Sequence, residues 1–189
     1  RIYYSEEAGS HGAGMMSGKS PNIFICHPKR TAIGSFQGAL AAIPAPKLGA
    51  AIIGSVLSDA GLTPESAGID EVILGCILTA GVGQAPARQA TIFSGLPVST
   101  QALTVNKVCS SGLKAVMLAA DRIELGRAEA VIAGGMENMS LAPFILPSLR
   151  SGARLGNTQA VDTLIHDALW DVYNDYHMGN AAELCAKEC

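Results

Sequence analysis

The chain has 189 residues, of which 49% are hydrophobic and 15% charged, with 21 glycines and a formal net charge of −3. That balance is too apolar for a disordered chain, and the lack of a basic excess argues against a nucleic-acid partner. No apolar run approaches the ~20 residues that span a bilayer, so the sequence predicts no membrane helix.

Residues 1–20 stand apart. The stretch 9–18 has no apolar period, includes Met15 and Met16 as candidate starts, and lacks the apolar centre of a secretory signal. It reads as a tag remnant or flexible arm and is left out of the fold prediction. From residue 22 onward, short apolar runs alternate with helical periods. Residues 22–26 predict a strand, and 30–46 a long loop of Gly, Ala and Pro. Leu48, Ile52, Ile53, Val56 and Leu57 recur at helical spacing and predict a helix over 47–60, stopped by Gly61. Thr63, as a cap ahead of Pro64, predicts a further helical turn. The unbroken apolar run 72–78 predicts a strand buried on both faces. A helix over 85–94, a strand over 102–105, a helix over 110–125 closed by Gly126 and a strand over 130–133 follow. On the 110–125 helix, Leu113, Val116, Met117, Ala120 and Ile123 are expected to form the packed face.

This alternation is the grammar of βαβ units, so the fold class is α/β with a mainly parallel sheet over 21–140. After Ser140 the grammar changes. Residues 143–161 show no period, 162–170 predict a helix, and Asn180 with Glu183 three residues on resembles a capping box. Residues 141–189 therefore read as an excursion out of the α/β layer. The sequence stops at Cys189 inside a helical pattern without a stop signal, so an incomplete chain is expected.

Five cysteines, an odd number without metal-like pairing, predict free thiols in a reducing compartment. Cys109 differs from the others in its setting. It stands between a predicted strand and a predicted helix, where unpaired N–H groups and the helix dipole stabilise an anion. The same N–H groups can hold the oxyanion formed when a thiolate attacks a carbonyl. Ser110, Ser111 and Gly112 leave room above the turn. On this physics alone a nucleophile and a buried core thiol are about equally supported. Cys26 and Cys76, in predicted strands, read as inert core thiols.

The string Val105-Asn106-Lys107-Val108-Cys109-Ser110-Ser111-Gly112-Leu113-Lys114-Ala115 resembles the nucleophile segment of thiolases. Residues 133–140 (Ala-Gly-Gly-Met-Glu-Asn-Met-Ser) resemble the strand-end signature of that family. Residues 30–36, 83–90 and 176–179 are similar to its opening loop, its dimer-interface helix and its substrate-loop signature, in the same order. The resemblance covers 22–189 and is nearest to biosynthetic acetyl-CoA acetyltransferases. It implies a five-layered α-β-α-β-α fold of two similar halves, of which this chain holds the N-terminal half and the start of a loop domain.

The resemblance also implies a two-step acyl transfer between acyl-CoA thioesters. Cys109 forms the acyl-enzyme, and coenzyme A is substrate and product rather than cofactor; no metal is expected. Substrate contacts are implied for His177 and Met178, as the acyl-pocket wall, and for Leu169, beside the pantetheine arm. Packing or cap chemistry is the plainer reading of His177 and Met178, and core packing that of Leu169. Glu137 reads as a structural carboxylate bonding backbone N–H groups at a tight bend rather than as a base. Arg88 and Gln89 suit close subunit packing, or else a solvated face. Arg150 and Arg154 suit tetramer building or the CoA entrance, or else plain solvated charge.

A cytoplasmic homodimer or homotetramer acting in fatty acid metabolism is the implied setting. The Asn-Glu-Ala-Phe segment, the Gly-His-Pro segment and the second catalytic cysteine of the family do not occur within these residues. The 189-residue portion alone is therefore expected to be inactive. Two alternatives stand beside this reading: a β-ketoacyl synthase-like condensing enzyme, and a non-catalytic assembly subunit of the same fold.

Overall fold

A computed structural model describes residues 2–5, as backbone only, and residues 22–189. Five strands form the main sheet: β1 (Ile2–Ser5), β2 (Ile23–Cys26), β3 (Glu71–Gly75), β4 (Gln101–Val105) and β5 (Ala130–Gly135), in the order β2-β1-β5-β3-β4. β3 pairs in parallel with β4 and β5, while β1 runs antiparallel to both of its neighbours. Four of the five strands run in one direction, as the βαβ grammar predicts, while the reversed β1 makes two of the four pairings antiparallel.

β1 corrects the reading that set residues 1–20 aside from the fold. Isoleucine followed by two tyrosines has strong strand propensity, and the backbone of this segment pairs with Cys26 to Ile23 on one side and with Ile132 to Ala130 on the other. The boundary near residue 20 and the candidate starts Met15 and Met16 lie outside the described residues.

Alternation along the strands divides the core in two. Val72 and Leu74 of β3, with Ala130 and Ile132 of β5, pack against Ala45, Ile53, Val56 and Leu57 of α1 (Ala45–Asp59) and Ala87 and Ala90 of α2 (Pro86–Phe93). Ile73, Val131 and Ala133 point the other way, onto Ala115, Ala119 and Ile123 of α3 (Ser111–Glu124). Successive strand residues face opposite sides, so a strand covered on both faces must be apolar throughout. All of β3 is buried, including Glu71, whose carboxylate accepts a 2.7 Å hydrogen bond from Arg122 of α3.

Several expectations shift. α1 begins at Ala45 rather than 47, because prolines are tolerated in a first helical turn that needs no N–H donor. Residues 63–66 form a single turn closed by Thr63 and Ser66, not a helix. The predicted packed face of α3 holds at Ile123, which is buried, and at Val116, which packs half-buried against the core, but fails at Leu113 and Met117. Ala115, Ala119 and Ile123 are buried, whereas Leu113 and Met117 are 64% and 52% exposed. Small side chains let α3 lie close to the sheet, and the bulkier ones turn outward. Cys26 is half-buried rather than core, because β2 is the edge strand of the sheet.

Beyond residue 138 the chain forms small pieces. β6 (Phe144–Ile145) pairs with β7 (Val161–Asp162), and β8 (Trp170–Asp171) with β9 (Tyr176–His177). A π-helix, Leu164–Leu169, replaces most of the helix predicted over 162–170. α4 (Met178–Glu188) starts two residues before Asn180: His177 is its cap, with Nδ1 accepting the Gly179 N–H at 2.9 Å. These pieces pack mainly on one another. No helix among the described residues is long and apolar enough to cross a membrane.

Candidate active site

The chain leaves β4 at Val105 and enters α3 at Ser111, and the turn between them is strained. Val108 sits at φ +46°, a left-handed conformation that a β-branched residue rarely adopts. Such strain persists only where neighbours over-determine it. Here the Asn106 side-chain oxygen accepts the Val108 N–H at 3.0 Å. The buried Ser111 hydroxyl accepts the Lys107 N–H at 2.8 Å and donates to the Val108 carbonyl at 2.6 Å. This lifts Cys109 to the crest of the turn, exposed, one residue before the helix cap Ser110.

The Ser111 N–H donates to the Val108 carbonyl at 3.0 Å, but Ser110 makes no side-chain capping bond, so the Gly112 and Leu113 amides of the first turn lack the usual capping acceptor. They border an open cleft of about 270 Å³ lined by Gly75, Ile77, Val108, Cys109, Ser111, Gly112, Gly135, Met136 and Glu137. The glycines let the helix start reach the strand ends. A β-carbon at Gly75 would lie 2.6 Å from that of Ser111, and one at Gly135 would lie 3.4 Å from the Gly112 α-carbon.

Glu137 forms the far wall. Its carboxylate accepts the Ile77 N–H at 2.8 Å and the Leu78 N–H at 3.0 Å. These bonds hold the amides that follow Cys76 and explain why the strand stops short of the predicted residue 78. The structural reading of Glu137 describes these bonds. The buried Cys76 thiol faces the same carboxylate, with its sulfur 3.7 Å from Oε1. Burial first, and then the charge and hydrogen bond of Glu137, push its pKa up to about 12. Cys76 is thus held protonated in the core, while Cys109, also a thiol, stands open to the cleft.

Two neighbours of Glu137 escaped the sequence reading. The Asn138 amide nitrogen donates to the carbonyls of Leu40, Ala41 and Ile43 at 3.3, 3.0 and 2.7 Å, and the Ser140 hydroxyl accepts the Gln37 N–H at 2.9 Å. They clasp the long loop of residues 30–44 beside the site. Only their position in the 133–140 string hinted at a role.

His177, Met178 and Leu169 do not line the cleft at Cys109. His177 is a half-buried helix cap, Met178 is 36% exposed on the first turn of α4, and Leu169 ends the π-helix half-buried. Arg88 clasps its own chain, donating to the carbonyls of Thr100 and Val98 at 2.6 and 2.7 Å, and Gln89 donates to those of Val82 and Gln84. Neither is simply solvated. Arg150 and Arg154 are exposed. No cluster of three or more potential metal ligands occurs among the described residues.

An exposed cysteine on a strained strand-to-helix turn, beside helix amides that lack a capping acceptor, is an arrangement in an α/β protein that can support covalent thiol chemistry. The chain belongs to the thiolase family, whose N-terminal domain model (Thiolase, N-terminal domain) matches residues 23–189. It is similar to acetyl-CoA acetyltransferases of Cupriavidus necator, 58% identical over 167 residues, and of Pseudomonas aeruginosa, 56% identical over 167; each alignment covers 88% of this chain and 42% of the relative. It is also 50% identical over 167 residues to acetyl-CoA acetyltransferase 2 of Arabidopsis thaliana, covering 88% of this chain and 41% of that protein. The chain thus spans about two fifths of the length of these relatives.

Proposed function

We propose that this chain supplies the nucleophile-bearing part of an acetyl-CoA acetyltransferase. The observation that carries the reading is Cys109, exposed at the uncapped start of α3 in a cleft floored by glycine backbone. The Cys109 thiolate attacks the thioester carbonyl of acetyl-CoA, and the backbone amides at the helix start hold the resulting oxyanion. The C–S bond to coenzyme A then breaks, and free CoA leaves with a proton. A second acetyl-CoA, deprotonated at its α-carbon, attacks the acetyl-Cys109 carbonyl. Acetoacetyl-CoA forms and the Cys109 thiolate is regenerated. Thiolysis is the same sequence in reverse. A thiol suits both directions, because its ester keeps most of the acyl-transfer potential of the CoA ester.

The α-proton needs a base, and Glu137 is no candidate while both its oxygens are engaged by backbone N–H groups. The resemblance assigns this work to histidine and cysteine segments outside residues 22–189, so turnover by the 189-residue chain alone is not expected. Met178, His177 and Leu169 are proposed as pocket walls on the strength of the resemblance. They would reach the acyl group from the 141–189 segment. A cytoplasmic homodimer or homotetramer in fatty acid metabolism completes the proposal, supported by five free cysteines and the open edge of β4.

The test is acyl-enzyme trapping. Brief treatment of the full-length natural protein carrying this sequence with labelled acetyl-CoA should leave one acetyl thioester on Cys109, seen by peptide mapping. Cys109→Ser should abolish both label and turnover, since a serine hydroxyl without a dedicated base is a far weaker nucleophile. Label on any other cysteine would overturn the assignment. Met178→Ala should raise cleavage of longer 3-ketoacyl-CoA relative to acetoacetyl-CoA, each extra methylene being worth roughly 1–3 kcal/mol in an apolar pocket. An unchanged chain-length profile would remove Met178 from the pocket.

A further inference from the structure

Cys76 takes no part in the chemistry above, yet it touches both sides of the Cys109 cleft. Its neighbours Gly75 and Ile77 line the cleft, while its own side chain turns the other way and is fully buried in the core. The Cys76 N–H donates to the Val105 carbonyl at 3.0 Å, which carries the pairing with β4 one residue past Gly75. Val105 ends β4, immediately ahead of the turn that bears Cys109. The Cys76 sulfur in turn lies 3.7 Å from Oε1 of Glu137, the oxygen that also accepts the Leu78 N–H. Burial first, and then the charge and hydrogen bond of that carboxylate, keep the proton on sulfur, with a pKa of about 12.

Glu137 thus receives donors from consecutive residues: the Cys76 S–H, the Ile77 N–H and the Leu78 N–H. The two amides tie the carboxylate to the segment that leaves the sheet. The thiol ties it to a residue whose own backbone is fixed to β4. Without that thiol, Glu137 and the segment after Cys76 would be free to shift together relative to the Cys109 turn. All of these contacts lie inside the packed α/β region, and none depends on an exposed surface.

We propose that Cys76 is a positioning residue: with its amide on Val105 and its thiol on Glu137, it fixes the far wall of the cleft relative to Cys109. Its consequence for catalysis rests on the acyl-transfer reading of that cleft. The thioester carbonyl must sit within reach of the nucleophile, and a 1 Å misplacement there can cost about 10²-fold in rate. A thiol is a weak donor, so losing this one bond should cost less, about 5–10-fold. The plainer role for a buried cysteine is to fill space, and the two roles respond differently to substitution.

The test compares Cys76→Ser and Cys76→Ala in the full-length natural protein. The two side chains are close in size, but only serine keeps a donor for Oε1 of Glu137. Without substrate, hydrogen exchange at the Ile77 and Leu78 amides should be about 5–10-fold faster in Cys76→Ala than in the parent, and within about 2-fold of it in Cys76→Ser. With labelled acetyl-CoA at saturation, the single-turnover rate of acetyl-Cys109 formation should fall by the same factor in Cys76→Ala. The half-saturating concentration should hold, because no contact with substrate is lost, and Cys76→Ser should recover the rate. Equal exchange in the two variants, whether fast or slow, would reduce Cys76 to a space filler and overturn the proposal. Faster exchange in Cys76→Ala with an unchanged labelling rate would overturn it as well. A parent that forms no acetyl-Cys109 would sink the acyl-transfer reading instead, and exchange without substrate would still decide whether the thiol anchors Glu137.

Discussion

Residues 22–138 and residues 139–189 solve the folding problem differently. The first region builds a sheet with helices on both faces and buries Ile53, Val56, Leu57, Val72, Ile73 and Val131 almost completely. In the second, Thr163 alone is fully buried, its hydroxyl donating to the Pro143 carbonyl, while Leu155 is 99% and Tyr173 93% exposed. The first region carries its own core. The second has the apolar residues for one but holds itself together with two-residue strand pairs and side-chain turns such as Asp171 with Tyr173 and Asn174. Cys109 belongs to the first region, and the residues that the resemblance assigns to the acyl pocket belong to the second. A well-packed support for Cys109 and a sparsely packed segment carrying the residues proposed as pocket walls are thus divided between two kinds of structure.

The division is broken most directly by truncating one large apolar residue on each side. Ile73→Ala should lower unfolding free energy by about 2–5 kcal/mol, because it empties the space between β3 and α3. Leu155→Ala should change it by no more than about 0.5 kcal/mol. Urea melts of the two variants measure both, and equal effects would dissolve the distinction.

Ser111→Ala tests whether the turn under Cys109 is held by its neighbours. The substitution strips an acceptor from the Lys107 N–H and a donor from the Val108 carbonyl, at a cost of about 1–3 kcal/mol. Iodoacetamide alkylation of Cys109 should change rate in this variant while that of Cys185 does not. An unaltered Cys109 rate would mean that the strained turn keeps its geometry without Ser111.

A smaller effect sharpens the contrast between the buried and the exposed thiol. Cys76 titrates near 9 when unfolded and at about 12 when folded. Below pH 9 both states are protonated and stability is unaffected. Between about pH 9 and 12 the unfolded chain ionises first, so stability should fall by up to about 1.4 kcal/mol per pH unit. Cys76→Ala should flatten that slope relative to the parent, while Cys185→Ala should leave it unchanged; a parent slope matching that of Cys76→Ala would refute the account.

The sequence by itself determined the α/β alternation, the place of Cys109 between strand and helix, and the structural part played by Glu137. Each depends on local signals: apolar period, a small-residue turn, and a carboxylate beside glycines at a strand end. Tertiary structure decided the rest. Which face of α3 is buried depends on how closely the helix approaches the sheet, and that approach is set by Gly75 and Gly135, on strands far away in sequence. The chain leaves the sheet after Cys76, whose N–H still reaches Val105, because Glu137 takes the Ile77 and Leu78 amides from about 60 residues away. Ile2–Ser5 joins the sheet because two other strands offer it unpaired edges. Nor could Asn180 compete for the cap of α4 once the His177 ring stood against the Gly179 amide. Contacts between residues distant in sequence leave no period to read, so packing alone sets these outcomes.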